Sequence, residues 1–446
     1  MAEPVKNEGW LISGLYNGLQ KISVPVFGII TTMLLAKKAL TKEEMGVWVL
    51  FLVVTSFVEL IRQALVKTAM IKFINYSAKE DHPFVLSAAF LLNCLITFLL
   101  IIILAVFANM LSGLLKAPGL DDMMYWFLIG MTLLIFFSHF EWMMYSHSMF
   151  KELFSIYFFR QGITLLLMVM WWLMKGQIGL TMLVVFFNIG IAIGAFVGYR
   201  YVKHFLSYTF ILRGEWFSQL WHFGKYVFGS GISTLIFANA AQIMLSPLLG
   251  STAFTASQSM ATRVINLTDM PSQVVSDILF PKSSNRENAA NKGLIRYYYE
   301  KSVGATLSFA IPMVIFILLF PKFIILFLAD EQYLDGVPYL QIIAVTAMFL
   351  AFLKQWGVII DSSGKPEINF RLITFIALLN VLLSYVLIKQ MGFLGAAYAL
   401  VLSHIVAFII TQWLLHKYYG ISIINCFKYA IQFYPEMTKM VLNKIR

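Results

Sequence analysis

About twelve mostly apolar stretches, each long enough to cross a bilayer, follow one another along this chain. Of its 446 residues, 60% are hydrophobic and only 12% are charged. A water-soluble protein of this length would need far more polar surface. The sequence therefore predicts an all-α integral membrane protein with about 12 transmembrane helices.

Short connections separate the predicted spans, and one longer polar stretch at 204–218 divides them into two sets of six. In chain order the spans are 10–35, 45–66, 84–111, 124–145, 153–172, 180–199, 226–248, 253–279, 303–328, 339–360, 370–388 and 393–415. We expect six-helix lobes at 1–208 and 209–418 around a central cavity, as in transporters built from repeated halves. The Lys-rich residues 419–446 predict an amphipathic tail on the cytoplasmic membrane surface.

Lys and Arg residues are unevenly shared between alternate connections. With the N-terminus in the cytoplasm, about twenty cations lie on the cytoplasmic side and about seven on the other. The positive-inside rule then predicts a multi-pass protein with both termini in the cytoplasm. Since the cations flank apolar spans and form no basic stripe, we do not expect nucleic acid as a partner.

Several cations lie inside the predicted spans, where a charge is costly unless it faces the bundle interior or an aqueous cavity. They are Lys21, Arg62, Arg160, Arg263 and Lys354. A cationic interior predicts an anionic substrate, and we expect these side chains to bind it. Lys21 and Arg263 are the strongest candidates, because both are deep and neither has an acidic residue within four positions.

Other roles stay open for some of these cations. Arg62 follows Glu59 by one helical turn, so the two could form a structural ion pair instead. Arg160 lies close enough to one end of its span for its side chain to reach the headgroups. Lys354 is too deep to reach either interface easily, which favours a functional role.

Acidic residues inside the spans are fewer, and they are candidates for coupling transport to protons. A structural or interfacial role is favoured for Glu141, but it is the acid we would test first for proton coupling, with Glu59 second. His139 and His147 near Glu141 do not have the spacing of a zinc site. No nucleophile, phosphate-binding or metal-ligand motif is found, so we expect no catalytic residues, metal or cofactor.

Several short segments resemble one known family of transporters. They are 42–48 (KEEMGVW), 280–284 (FPKSS), 337–341 (VPYLQ), 364–365 (GK), 379–383 (LNVLL) and 392–397 (GFLGAA). In order and spacing they resemble polysaccharide flippases of the multidrug/oligosaccharidyl-lipid/polysaccharide exporter superfamily. The resemblance implies a flippase that moves undecaprenyl-diphosphate-linked O-antigen or capsule units across a bacterial inner membrane by alternating access. It also places Lys21 where related flippases have cavity cations.

The chain departs from that family's pattern in two places. Glu59-Leu60-Ile61-Arg62 stands where the second span often has Asp-Leu-Gly. Ala241-Gln242 stands where the seventh span often ends in Asp-Arg, which removes an acid–base pair that could serve ion coupling or gating.

Two other functions compete with the flippase interpretation. A cation-coupled drug or metabolite exporter of the same superfamily should show buried acids, whereas here deep cations outnumber deep acids. A polysaccharide polymerase or ligase usually has a large outer loop, and no outer connection here much exceeds about fifteen residues. The expected partners are a lipid-linked oligosaccharide diphosphate and membrane lipids. We expect a monomer, with association with polysaccharide assembly proteins left open.

Overall fold

The computed structural model describes residues 19, 23–209, 211, 213–273, 275–276, 291–362 and 366–445. These residues are helical almost throughout and contain no β-strand. They divide into two compact units. Unit 1 comprises Met1–Ile232 and Ser251–Ala256, and unit 2 comprises Ser233–Gly250 and Ser257–Arg446. One boundary between the units therefore lies inside a helix, between Ile232 and Ser233. The expected lobes meet at residues 208 and 209, and those lobe boundaries stay predictions.

Unit 1 consists of long apolar helices joined by short turns. They are α1 (23–34, continued by a π-helical turn Leu35–Ala39), α2 (Lys42–Arg62), α3 (Thr68–Tyr76), α4 (His82–Leu114), α5 (Leu120–Ser146), α6 (Phe150–Lys175) and α7 (Leu180–Val202), followed by the start of α8 (Gly214–Leu249). A π-helical turn, Gln63–Lys67, joins α2 to α3 without a break. Residue preferences explain the ends of these helices. Thr41 and Glu44 cap the start of α2 reciprocally, and Gly176 ends α6 with a positive φ of 73°.

Unit 2 contains the end of α8, most of α9 (Ala253–Thr268) and the helices that follow. These are α10 (Lys292–Leu319), α11 (Pro321–Leu328), α12 (Gly336–Ala344), α13 (Thr346–Ser362), α14 (Pro366–Met391), α15 (Phe393–Tyr419) and α16 (Ile423–Ile445). Its core packs Tyr299 of α10 against Phe352 and Trp356 of α13. The C-terminal helix α16 packs along α10, and Tyr434 donates to the Ser308 carbonyl oxygen at 2.5 Å.

The described residues contain nine helices that are long and apolar enough to cross a membrane. A tenth span is formed if α12 and α13, which meet at an angle of 45°, cross together. Two of the about twelve expected spans are not among these. The first, 10–35, lies partly outside the described residues. In the eighth, 253–279, α9 ends at Thr268 before a turn at Asp269, because Pro271 follows closely.

Glycines at intervals of four allow α7 to approach its neighbours closely. They are Gly190, Gly194 and Gly198. A Cβ atom on Gly190 would collide with the Thr164 hydroxyl, and one on Gly194 would lie 2.8 Å from the Phe137 ring. Small residues at this spacing let helix backbones pack in a membrane. The stripe therefore sets the position of α6 and of its one buried cation, Arg160.

Candidate functional site

Arg62 is buried at the end of α2 and bridges two neighbouring helices of unit 1. Its Nε and Nη2 atoms both donate to Asn93 Oδ1 of α4 at 3.1 Å. Nη2 also donates to the Leu134 carbonyl oxygen at 2.7 Å and to Ser138 Oγ of α5 at 3.2 Å. Its Nη1 atom is buried and has no partner. Arg62 is therefore held by neutral oxygens, and its positive charge is not cancelled by a directly bonded carboxylate among the described residues.

Arg160 of α6 pairs with Glu59, the acidic residue one helical turn before Arg62 in the sequence. Its Nη2 atom lies 3.1 Å from Glu59 Oε1 of α2. The guanidinium also lies 4.8 Å from the Phe137 ring centroid and 5.3 Å from that of Phe187. The Arg160 side chain is only 8% exposed, so it is a buried, paired cation and does not extend to the headgroups.

Glu141 of α5 is almost fully buried and accepts hydrogen bonds from two side chains. Lys67 Nζ, at the end of the π-helical turn, lies 2.9 Å from Glu141 Oε1. The Tyr157 hydroxyl of α6 donates to the same oxygen at 2.9 Å. Lys67 also lies 4.0 Å from the Tyr145 ring centroid. Glu141 is thus paired in this conformation.

Five buried or partly buried charges of unit 1 form a group that consists of two ion pairs and of Arg62, which lies within electrostatic range of both pairs. Arg62, Glu59, Arg160, Glu141 and Lys67 come from α2, α5, α6 and the π-helical turn. Three cations face two carboxylates, so the group carries one excess positive charge. Lys67 follows the predicted span 45–66, so the sequence places it among the cations of a cytoplasmic connection and not among the deep cations. A π-helical turn, which often marks a functional site, is not visible in the residue pattern.

Lys354 lies on α13 in unit 2 and forms an ion pair with Asp269, in the turn after α9. The Nζ and Oδ2 atoms are 2.7 Å apart, and the two side chains are 36% and 13% exposed. Gln355 donates to the Ser272 carbonyl oxygen at 3.4 Å and to Ser276 Oγ at 3.3 Å. Asp269 is thus a charge partner of a predicted site residue.

Arg263 lies on α9 in unit 2 and is partly buried. Its Nε atom is buried without a hydrogen-bond partner, and no described carboxylate lies within ion-pair distance of the guanidinium. Ser259, one turn earlier on α9, is buried, as are the polar side chains Ser257 and Gln258. Lys21, the other leading candidate, lies outside the described residues. Of the predicted cations that the structure describes, Arg263 has the fewest partners.

The comparisons with known proteins agree with this architecture. Residues 35–338 match the model of the polysaccharide biosynthesis protein family, so the chain belongs to that family. This family and the fold confirm the resemblance to polysaccharide flippases seen in the sequence.

Two solved structures show the same fold. The lipid II flippase MurJ in an inward closed conformation is 14% identical, with a TM-score of 0.76, over 96% of this chain and 93% of MurJ. An inward-facing multidrug resistance MATE transporter of the MOP superfamily is also 14% identical, with a TM-score of 0.77, over 90% of this chain and 98% of that protein.

One relative is similar in sequence over a shorter region. It is an uncharacterised membrane protein of Methanocaldococcus jannaschii, 28% identical over 224 residues. The match covers 49% of this chain and 44% of that protein, so it spans less than half the length of the relative.

Proposed function

We propose that this protein flips an undecaprenyl-diphosphate-linked oligosaccharide, such as an O-antigen or capsule unit, across the inner membrane of a bacterium by alternating access. The family match supports a role in polysaccharide biosynthesis, and the fold is one that membrane transporters use. We infer a transporter and not an enzyme. We expect a multi-pass monomer with both termini in the cytoplasm.

The observation that carries this proposal is the state of Arg263. Burying a guanidinium is costly, and a structural role would call for a carboxylate or a full set of acceptors. Arg263 has a buried Nε without a partner and no carboxylate among the described residues. A diphosphate supplies several charged oxygens, which a guanidinium can bind through two parallel hydrogen bonds.

Lys354 is the second cation that we assign to substrate binding. Its ion pair with Asp269 is short, but both side chains are partly exposed. A pair of this kind is stabilised by only about 1 kcal/mol or less, so an incoming phosphate can compete for the ammonium group. We propose that Asp269 neutralises Lys354 until the diphosphate binds. We also assign Lys21 to substrate binding, on the sequence pattern alone.

The buried charges of unit 1 receive different roles. Arg62 is bound to Asn93, Leu134 and Ser138, and Arg160 is bound to Glu59, so we assign both to the packing of the helices. Glu141 and Glu59 remain the candidates for proton coupling. We propose that protonation of Glu141 would release Lys67 from its ion pair.

The test is complementation in a bacterium that lacks its own flippase for a matching glycan. Intact protein should restore the surface polysaccharide, and Arg263→Ala should lower it about tenfold or more, since a lost charge-assisted bond is worth roughly 1.5–3 kcal/mol. Lys21→Ala and Lys354→Ala are measured beside it.

The matched control is Arg200→Ala, because Arg200 is an exposed cation at the end of α7. Membrane abundance is measured for every variant. If Arg263→Ala supports as much glycan as the control, Arg263 does not bind the substrate. If the intact protein itself fails with a matched glycan, the exporter function replaces the flippase.

A further inference from the structure

Unit 1 contains an apolar cavity that the charged group described above does not line. Its volume is about 740 Å³, within the range of ligand pockets, roughly 300–1,000 Å³. The walls come from the end of α2, the π-helical turn, the first half of α4 and the start of α8, with Ile61, Leu65, Leu92 and Phe217 as examples. Leu95 and Leu99, which also line the cavity, are 49% and 57% exposed, so the cavity opens on the surface of unit 1.

A second, more polar cavity of about 390 Å³ lies on the neighbouring face of α8. Ser218 lines both cavities, and Gln219, His222 and Phe223 line only the second. An apolar chamber and a polar chamber therefore meet at one serine. This arrangement suits an amphiphile whose chain and headgroup need different surroundings.

A cation lies at the polar chamber. Lys72 Nζ is 4.4 Å from the centroid of the Phe223 ring, which is one wall of that chamber. Lys72 is exposed, and no described carboxylate lies within ion-pair distance of it. Arg213, at the rim of the apolar cavity, is already paired with Asp81 at 3.0 Å. The site thus offers about one uncommitted positive charge, which matches a phosphodiester better than a diphosphate.

The helix ends place this site in one leaflet. Phe73, near the end of α3 at Tyr76, and Ser218, near the start of α8 at Gly214, line the polar chamber. Asp81, just before α4, pairs with Arg213, just before α8. Lys and Arg cluster in the connections at these ends, which the positive-inside rule assigns to the cytoplasm. Basic pockets between membrane helices on this side are suited to anionic lipid headgroups.

We propose that this paired cavity binds one anionic glycerophospholipid of the adjacent leaflet, with an acyl chain in the apolar chamber and the phosphate near Lys72 and Ser218. The bound lipid fills the open side of α4 and α8 and is not the transported substrate. The site does not depend on Arg263 or on the transport function.

The test is native mass spectrometry of the full-length protein titrated with phosphatidylglycerol and with phosphatidylcholine of the same acyl chains. Phosphatidylglycerol should bind in a stoichiometry of one and about fivefold more tightly, since one lysine near a membrane is worth about 1 kcal/mol. Lys72→Gln should remove this preference. Leu95→Trp should weaken binding of both lipids by filling the apolar chamber from an exposed position.

Two variants serve as matched controls and should bind like the parent. Lys151→Gln removes an exposed cation at the start of α6, and Leu114→Trp enlarges an exposed side chain of α4 that lines neither cavity. Thermal unfolding of each variant shows that it is folded. Equal affinity of the parent for both lipids overturns the proposal. The proposal is also overturned if undecaprenyl diphosphate displaces phosphatidylglycerol from the parent and does not do so from Leu95→Trp. That result would assign the cavity to the transported lipid.

Discussion

Unit 1 binds each of its deep cations to a carboxylate or to neutral oxygens, although Arg62 Nη1 and Arg160 Nε have no partner. In unit 2, Arg263 makes no hydrogen bond or ion pair with a described residue. In unit 1, Lys67 and Arg160 each have a carboxylate within 3.1 Å. In unit 2, the described ion pair of Lys354 is more exposed. Depth in the membrane is therefore a poor guide to the role of a charge. The partners of a charge are a better guide: we assign a cation with protein partners to helix packing and propose that one without them binds substrate.

The strongest way to break this comparison is to remove Glu141. Glu141→Ala should destabilise the protein by about 2–4 kcal/mol, because the mostly buried Lys67 ammonium and the Tyr157 hydroxyl lose their shared acceptor. Thermal unfolding of the purified protein measures the effect. Glu367→Ala is the control, since the Glu367–Arg371 pair is 4.0 Å long and the two side chains are 84% and 80% exposed.

A double variant sharpens the same result. Lys67→Met with Glu141→Met should recover most of the lost stability, since replacing both charges leaves no unpaired ion. If Glu141→Ala unfolds at the same temperature as Glu367→Ala, the charged group of unit 1 does not stabilise its packing.

A somewhat smaller effect is expected from the glycine stripe. Gly190→Ala should cost about 1–3 kcal/mol, because its Cβ would collide with Thr164 and with the Arg160 backbone. The displacement of α6 should also weaken the Arg160–Glu59 pair. Gly113→Ala in α4 is the control, since a Cβ there meets no atom within 4 Å. Equal unfolding temperatures for both variants would mean that α6 and α7 adjust without loss.

A third prediction concerns the C-terminal helix of unit 2. The buried Glu300 of α10 accepts from Arg296 at 2.9 Å, from the Ser422 backbone at 2.8 Å and from Asn425 at 3.1 Å. Glu300→Gln should cost about 1–2 kcal/mol and loosen α16. In that case a buried carboxylate holds helices together in unit 2 as it does in unit 1. The two units would then differ only in the partners of their candidate substrate-binding cations.

Cys426 on α16 reports on this change. Burial, with a smaller contribution from Glu300, raises the pKa of the Cys426 thiol to about 12. The thiol therefore stays protonated at pH 8 and reacts slowly with maleimide, and the rate should rise as the pH approaches that pKa. Glu300→Gln should speed labelling at pH 8 in a Cys94→Ser background. Unchanged labelling would show that α16 stays in place without the carboxylate.

The smallest effect is expected at the exposed ion pair of unit 2. Asp269→Asn should free Lys354 and tighten binding of a diphosphate lipid by about two- to fivefold. Glu59→Gln, the equivalent change in unit 1, should lower stability without tightening binding. A binding titration measures the affinity of each purified variant, and thermal unfolding measures its stability. Weaker binding by Asp269→Asn would indicate that Asp269 orients Lys354 and does not compete with the substrate.

The spans were predictable wherever a long apolar run has clear ends. The expected spans 84–111 and 393–415 lie within α4 and α15, because many apolar residues in succession leave no other stable structure in a membrane. The same reasoning gave the wrong end for α9, because this helix contains many polar residues and ends at Thr268 before a turn at Asp269. Local composition does not show where a polar helix finds its partners.

The candidate site was predictable in its residue types and not in its pairing. Arg62 was a candidate for substrate binding, with an ion pair to Glu59, three positions away, as the alternative. Its contacts are with Asn93, Leu134 and Ser138. Glu141 and Lys67 are separated by 74 positions in sequence. Contacts at this separation depend on helix packing, so no local spacing reveals them.

The π-helical turn Gln63–Lys67 has a consequence for how this chain is compared with others. A π-helical turn accommodates an additional residue relative to the α-helical pattern, and one residue of α-helix corresponds to about 100° of rotation. Deleting Ala64 would leave every residue type of the charged group in place, yet it would direct the Lys67 side chain away from Glu141. An alignment that treats 42–76 as one regular helix therefore assigns Lys67 to the wrong face. Chain length at this turn is as much a part of the ion pair as lysine and glutamate are.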